Sequence, residues 1–191
     1  LEEERGLPRD FIRSVNAINR DDNAWAKFER AEIDVEGFDA LFAAEAEAMG
    51  HALDGASVIA CLAGDVRPYM VTALDRWKAE GFGIGCITNN VKAGRGAAMA
   101  RSEDKALQVE AIMARFDHVI ESSKAGVRKP DPRIYQMMCE ALSVSPETCI
   151  YLDDLGINCK PAATLGMHAI KVTSGEQALE DLEAAVGMAL Q

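Results

Sequence analysis

Apolar and polar positions along this chain follow two periods in succession. Up to about Asp65 the apolar residues recur only at helical spacing. Phe11, Ile12, Val15 and Ile18 mark one face, with Pro8 read as its first-turn proline, and Phe38, Leu41, Phe42 and Met49 mark a second, interrupted by one acid at Glu45. Asp54-Gly55 is a turn signal, and Val58 to Leu62 is a short apolar run compatible with helix or strand, its Ala-rich surroundings favouring helix. After Gly64, helical stretches alternate with short apolar runs. Pro68 opens a helix with Met70, Val71, Leu74 and Trp77 on one face and a stop at Glu80-Gly81, and Phe82 to Thr88 follows as a strand. A polar, Gly-rich loop from Asn89 to Gly96 leads to a helix entered at Ser102-Glu103-Asp104, whose buried face is Val109, Ile112, Met113 and Phe116. His118 to Ile120 is a strand, Pro132 to Leu142 a helix, Cys149 to Leu152 a strand, and Pro161 to Leu165 a helix stopped at Gly166. His168 to Val172 is the last strand, and Leu179, Leu182, Val186 and Leu190 line a closing helix. This alternation predicts an α/β fold, a parallel sheet with helices on both faces and a site along the carboxyl ends of its strands.

Composition narrows the picture. With 49% hydrophobic and 27% charged residues, 191 residues can bury one sizeable core and leave room for a small appended domain. A formal net charge of -11 argues against nucleic acid or an anionic membrane surface as a partner, because both would repel the chain. No apolar run approaches the ~20 residues needed to span a bilayer, and Leu-Glu-Glu-Glu-Arg is unlike a signal peptide, so the expected location is the cytoplasm. The five cysteines show no CxxC spacing and read as small buried thiols, and the three scattered histidines read as packing residues.

The chemistry concentrates at strand ends. Cys149 to Leu152 runs directly into Asp153-Asp154 and Gly156, and two neighbouring carboxylates repel each other unless a cation, a proton or a lysine offsets their charge. A hard ion such as Mg2+ is the simplest partner. The structural alternative is that Asp153 caps the next helix while Asp154 is solvated. Thr88-Asn89-Asn90 follows an earlier strand, and Lys129-Pro130-Asp131-Pro132 follows the loop after the next. A hydroxyl, an amide and backbone N–H groups can hold phosphate oxygens, and a lysine supplies the positive charge that both a phosphoryl group and a carboxylate need. Singly, Thr88 can be a strand end, Asn89-Asn90 turn residues and Lys129 a solvated charge. Together, at the ends of strands of one sheet, they point to a phosphate site. Gly81, Gly83 and Gly85 lie before and within a strand, not in a turn after it, and read as close-packing glycines in place of a dinucleotide fingerprint.

The ordered set Cys86-Ile87-Thr88-Asn89-Asn90, then Glu121 to Pro132 with Lys129-Pro130-Asp131-Pro132, then Tyr151-Leu152-Asp153-Asp154 with Asn158 and Gly166-Met167, resembles motifs two, three and four of the haloacid dehalogenase-like (HAD) hydrolase superfamily. It is most similar to the branch that includes the N-terminal phosphatase domain of soluble epoxide hydrolase, from about Arg67 onward. The resemblance implies a Rossmann-like core over residues 66–191 and a helical cap over residues 1–65. It assigns Thr88 and Asn89 to phosphoryl or substrate binding, Lys129 to bridging phosphoryl group and nucleophile, and Asp154, with Asp153 in support, to Mg2+. The family's nucleophile is the first aspartate of an Asp-x-Asp motif after the first core strand, and no such motif occurs here. Leu53-Asp54-Gly55 lacks both the preceding apolar run and the second acid.

The resemblance thus implies a Mg2+-dependent phosphatase of small organic phosphate esters whose nucleophile segment is missing from this sequence, the chain as it stands being inactive. The alternatives are a noncatalytic binding protein of the same fold, and a haloacid dehalogenase, which needs no metal and leaves the acidic pair unexplained. In a receiver domain, which shares an acidic pair, a threonine and a lysine, the acids come first in the chain and not last. Trp25, Phe28, Phe38 and Phe42 read as internal packing of the cap more than as a ligand wall. The family's sheet order puts its first strand between those ending at Thr88 and at Asp153-Asp154. Without it the two flank a gap of about twice the 4.8 Å strand spacing and do not pair.

Overall fold

The computed structural model describes residues 1–61, 66–89 and 103–188. Leu62, Asn90 and the rest of the Gly-rich loop to Gly96, Ser102 and Leu190 lie outside the described residues. In chain order the elements are α1 (Phe11–Ala17), α2 (Ala24–Glu29), α3 (Val35–Ala48), α4 (Gly55–Ala60), α5 (Pro68–Ala79), β1 (Gly85–Thr88), α6 (Glu103–Met113), β2 (His118–Glu121), α7 (Ser122–Ala125), α8 (Pro132–Leu142), β3 (Ile150–Asp153), α9 (Gly156–Thr164), β4 (His168–Lys171) and α10 (Gly175–Val186). They form two compact units, one of Leu1–Asp65 with Asn89–Glu110 and Glu121–Arg128, the other of Val66–Thr88, Ala111–Ile120 and Lys129–Gln191. Two later segments therefore accompany the N-terminal helices.

In the first unit three side chains start helices by accepting orphan N–H groups: Asn23 from Ala26 (2.8 Å), Asp34 from Gly37 (2.8 Å) and Asp54 from Ser57 (2.6 Å). The core is aromatic. Phe28, Phe38 and Phe42 are fully buried, with Phe28 stacked on Phe38 at 4.7 Å and Trp25 edge-on to Phe38 at 5.4 Å. Each such ring contributes about 1.5–3 kcal/mol by leaving water, so these four residues are packing, as their spacing suggests. His51 also packs, edge-on to Phe11 at 4.9 Å. Pro8 does not open α1. The helix begins at Phe11 after a turn in which the Phe11 N–H donates to the Pro8 carbonyl, and its cap, Asp10, has φ +60. Helix α2 is six residues long, too short to show a period, and only Asn23 announces it.

In the second unit Pro68 and Pro132 sit in the first turns of α5 and α8, where a missing N–H costs nothing. Strand β1 is shorter than expected. The Ile84 N–H donates to Asp117 Oδ2 and its carbonyl accepts from the Asp117 N–H, both at 2.8 Å, while Phe82 packs edge-on against Trp77, so ladder pairing begins only at Gly85. Gly85 is the close-packing glycine: a Cβ there would lie 2.6 Å from Met138 Sδ on α8. Gly83 has open space around it, and Gly81 serves the turn after α5 with φ +86.

Strands β3 and β4 are parallel, with Ile150 opposite His168 and Asp153 opposite Lys171. Strand β1 pairs with β2 in a separate sheet, so among the described residues the expected single sheet appears as two two-stranded ones, and β1 and β3 are not bonded to each other. The Cys149 and Asp153 carbonyls accept from His168 and Val172 of the β4 segment, both at 2.9 Å. Strand alternation therefore turns the N–H and C=O groups of Ile150 and Leu152 toward the opposite edge of β3. Helix α9 starts five residues before the expected Pro161, at Gly156, because Asp153 Oδ1 anchors the chain there by accepting from the Leu155 N–H (2.9 Å) and Asn158 Nδ2 (3.0 Å). No described helix is long and apolar enough to cross a membrane.

Candidate active site

Asp153 ends β3, 7% exposed, and its two oxygens take four donors. Lys129 Nζ donates to Oδ2 at 2.8 Å and the Tyr151 hydroxyl donates to the same oxygen at 2.7 Å. Oδ1 holds the Leu155 N–H and the Asn158 amide. Tyr151 can reach Asp153 because residues two apart on a strand share a face. It is held edge-on against buried Tyr135 at 5.1 Å, and the Tyr135 hydroxyl donates to the Asn158 carbonyl at 2.8 Å. Lys129 precedes α8, whose start is fixed by Asp131 accepting from the Arg133 N–H at 2.9 Å and by Pro132.

Two effects set the charge of Asp153. Burial pushes its carboxyl up, and the hydrogen bond and charge of Lys129, aided by the Tyr151 hydroxyl and the Leu155 N–H, outweigh burial and hold it below the usual carboxylate range. Burial, then donation to Asp153, pushes the Tyr151 phenol well above its ordinary value, so it stays a donor. The result is an ionised acid bound to a cation whose side chain is 14% exposed.

Asp154, one residue on, differs in every respect. It is exposed and, among the described residues, makes no hydrogen bond or ion pair. Of the structural alternative, the exposed Asp154 is realised, whereas the cap position of α9 is Leu155 and Asp153 braces it from two residues before, with Lys129 and Tyr151 on its other oxygen. No group of three or more His, Cys, Asp and Glu side chains gathers among the described residues. The donor set still fits a hard divalent cation of the magnesium type, which commonly takes one or two protein carboxylates and fills its shell with water and phosphate oxygens. Of the two carboxylates Asp154 is exposed, while Asp153 already accepts from four donors.

Thr88 ends β1, half-buried, and among the described residues its hydroxyl makes no hydrogen bond. Asn89 belongs to the first unit, where its amide donates to Glu29 Oε2 at 3.4 Å. The hydrogen bonds thus unite Lys129 with Asp153, and among the described residues the Thr88 hydroxyl does not join them. Lys124 is 75% exposed and pairs with Glu121, so of the two lysines only Lys129 reaches the acidic pair. The sequence reading missed Tyr151 as a donor; its place two residues before Asp153 was the available signal.

The haloacid dehalogenase-like hydrolases match this sequence over residues 2–166. Acyl-CoA dehydrogenase family member 10 of Mus musculus is 40% identical over 123 residues, 64% of this chain and 11% of that protein. Bifunctional epoxide hydrolase 2 of Sus scrofa is 36% identical over 121 residues, 63% of this chain and 21% of that protein. A phosphatase of Mycobacterium tuberculosis is 34% identical over 113 residues, 59% of this chain and 47% of that protein. The chain spans less than half the length of each of these relatives. Among solved structures, a HAD family enzyme of Bacteroides thetaiotaomicron, in complex with magnesium, has a TM-score of 0.63 over 92% of this chain and 90% of that one, at 19% identity. At that identity the likeness is one of fold.

Proposed function

The chain belongs to the haloacid dehalogenase-like hydrolase family, and on that premise we propose that it carries the phosphoryl-binding machinery of a magnesium-dependent phosphatase of small organic phosphate esters. The observation that carries this reading is the buried Lys129–Asp153 pair beside the exposed Asp154. Asp153 holds the Lys129 side chain in place at 2.8 Å, so the ammonium can face phosphoryl oxygens as charge develops on them. The Thr88 hydroxyl and the Asn89 amide supply neutral donors to the same group. Asp154 would hold Mg2+, which when bound offsets the charge of the phosphate ester. A phosphatase among the relatives, and a fold neighbour crystallised with magnesium, support the choice of chemistry.

The reading needs a nucleophilic carboxylate that this sequence does not contain as an Asp-x-Asp motif. A segment outside it would supply that group, pairing with the edge of β3 that faces away from β4, at Ile150 and Leu152. That carboxylate would attack phosphorus, the ester oxygen would leave, and water would hydrolyse the aspartyl-phosphate. On this reading residues 1–65 would be the helical cap and 66–191 the core, although Asn89–Glu110 and Glu121–Arg128 group with the N-terminal helices, and the chain without the nucleophile segment should not turn over.

The test compares two lysines in the chain expressed together with that segment, with inorganic phosphate release as the readout. Lys129→Ala should lower kcat/KM by about 100-fold or more, the size expected for losing a charge aimed at the transition state. Lys124→Ala should match the parent. The reverse order of effects would reject the assignment.

A further inference from the structure

Tyr151 stands on β3 two residues before Asp153, so the two side chains leave the strand on one face. Its hydroxyl donates to Asp153 Oδ2 at 2.7 Å, the oxygen that also accepts from Lys129 Nζ at 2.8 Å. A carboxylate oxygen accepts along about two lone-pair directions. With the phenol on one of them, the ammonium meets Oδ2 along the other. A lysine on its own flexible stem has no such fixed line of approach.

The phenol is itself held. Its ring packs edge-on against Tyr135 at 5.1 Å, a fully buried residue of α8. The Tyr135 hydroxyl donates to the Asn158 carbonyl at 2.8 Å, and the Asn158 amide donates back to Asp153 at Oδ1, 3.0 Å away. Tyr151, Asp153, Asn158 and Tyr135 thus form a closed circuit that grips the carboxylate at both oxygens. These four residues and Lys129 all belong to the second compact unit.

We infer that the Tyr151 hydroxyl is a positioning group for phosphoryl transfer: it fixes Asp153 Oδ2, and so the direction in which Lys129 presents its ammonium, without touching substrate. The inference rests on the phosphatase reading. Displacement of a positioned group by about 1 Å is enough to cost on the order of 100-fold in rate. Lys129 keeps Asp153 when the hydroxyl is removed, so the loss expected here is smaller, about 10-fold.

The test uses the chain expressed together with the nucleophile segment, as parent, Tyr151→Phe, Lys129→Met and the double variant. It reads kcat and KM for p-nitrophenyl phosphate, the thermal midpoint, and the NMR order parameter of the Lys129 ammonium nitrogen, a signal assigned by its absence in Lys129→Met. Tyr151→Phe keeps the ring against Tyr135 and should still unfold cooperatively. It should lower kcat by about 10-fold with KM little changed, and it should lower the Lys129 order parameter. In the Lys129→Met background the same substitution should change kcat by less than about twofold, because the group it aims is already gone. Unchanged kcat in Tyr151→Phe overturns the inference. So does a loss of equal size in both backgrounds, or loss of cooperative unfolding, because the hydroxyl would then serve the fold and not Lys129. An unaltered Lys129 order parameter in Tyr151→Phe overturns it whether or not the parent is active. A parent that releases no phosphate overturns the phosphatase reading instead.

Discussion

Replacing Lys129 by methionine leaves the Asp153 carboxylate buried without its cation. The pair is 2.8 Å apart with side chains 14% and 4% exposed, so water cannot replace the ammonium. Removing one partner of such a pair costs about 3–5 kcal/mol. Three donors remain on Asp153, the Tyr151 hydroxyl, the Leu155 N–H and the Asn158 amide, which places the expected loss at the low end, about 3 kcal/mol. For a chain of this size that lowers the thermal midpoint by roughly 6–12 °C. The pH dependence follows from the sign of the shift. In the parent the folded carboxyl is held below its unfolded value of about 3.9, so the pair stabilises fully above that pH and loses its contribution as pH falls further. In Lys129→Met the cation that opposed burial is gone, the folded carboxyl moves up, and protonation relieves the variant on acidification. The gap between parent and variant should therefore be widest near neutrality and close toward pH 4. Thermal unfolding by circular dichroism across that range is the assay, with Lys129→Met/Asp153→Asn expected to recover most of the loss. A gap that is small at neutral pH, or constant with pH, would refute the reasoning.

Further outcomes follow from the same geometry. Phe38→Ala opens a cavity where three aromatic side chains meet and should cost about 3–5 kcal/mol in denaturant unfolding. Asp54→Ala removes the cap of α4 and should cost about 1 kcal/mol at neutral pH. The Ser57 N–H and hydroxyl hold the Asp54 carboxyl below its usual range, so that difference should persist above pH about 4 and fade below it, as paired melts would show.

What was legible in the sequence had a local cause. Pro68 and Pro132 mark helix starts because only a first turn tolerates the missing N–H, and α8 runs from Pro132 to Leu142 as its spacing implies. The strand ends at Thr88 and the acidic pair were readable because an apolar run there meets polar residues abruptly. What was missed depends on contacts across the chain. Helix α9 was expected to open at Pro161 but begins at Gly156, where Asp153 Oδ1 holds the Leu155 N–H and the Asn158 amide, a side-chain contact that apolar spacing does not report. The two-sheet arrangement is a matter of strand neighbours, which periodicity does not encode. The hydrogen bonds from Asn89 and Ser122 to Glu29 gave no signal at all, since they span 60 and 93 residues. Tyr151 read as an apolar strand residue because its ring packs, while its hydroxyl does the separate work of binding Asp153.

The division of labour within the acidic pair is the centre of the account, and a magnesium titration of phosphate release tests it most directly. With the nucleophile segment present, the parent should show a rate that rises with Mg2+ to saturation and vanishes in chelator. Asp154→Asn should need far more Mg2+ and, even at saturation, run slower by about 100-fold, a loss of nearly 3 kcal/mol of transition-state stabilisation. The same magnesium dependence and the same saturated rate in parent and Asp154→Asn would contradict it.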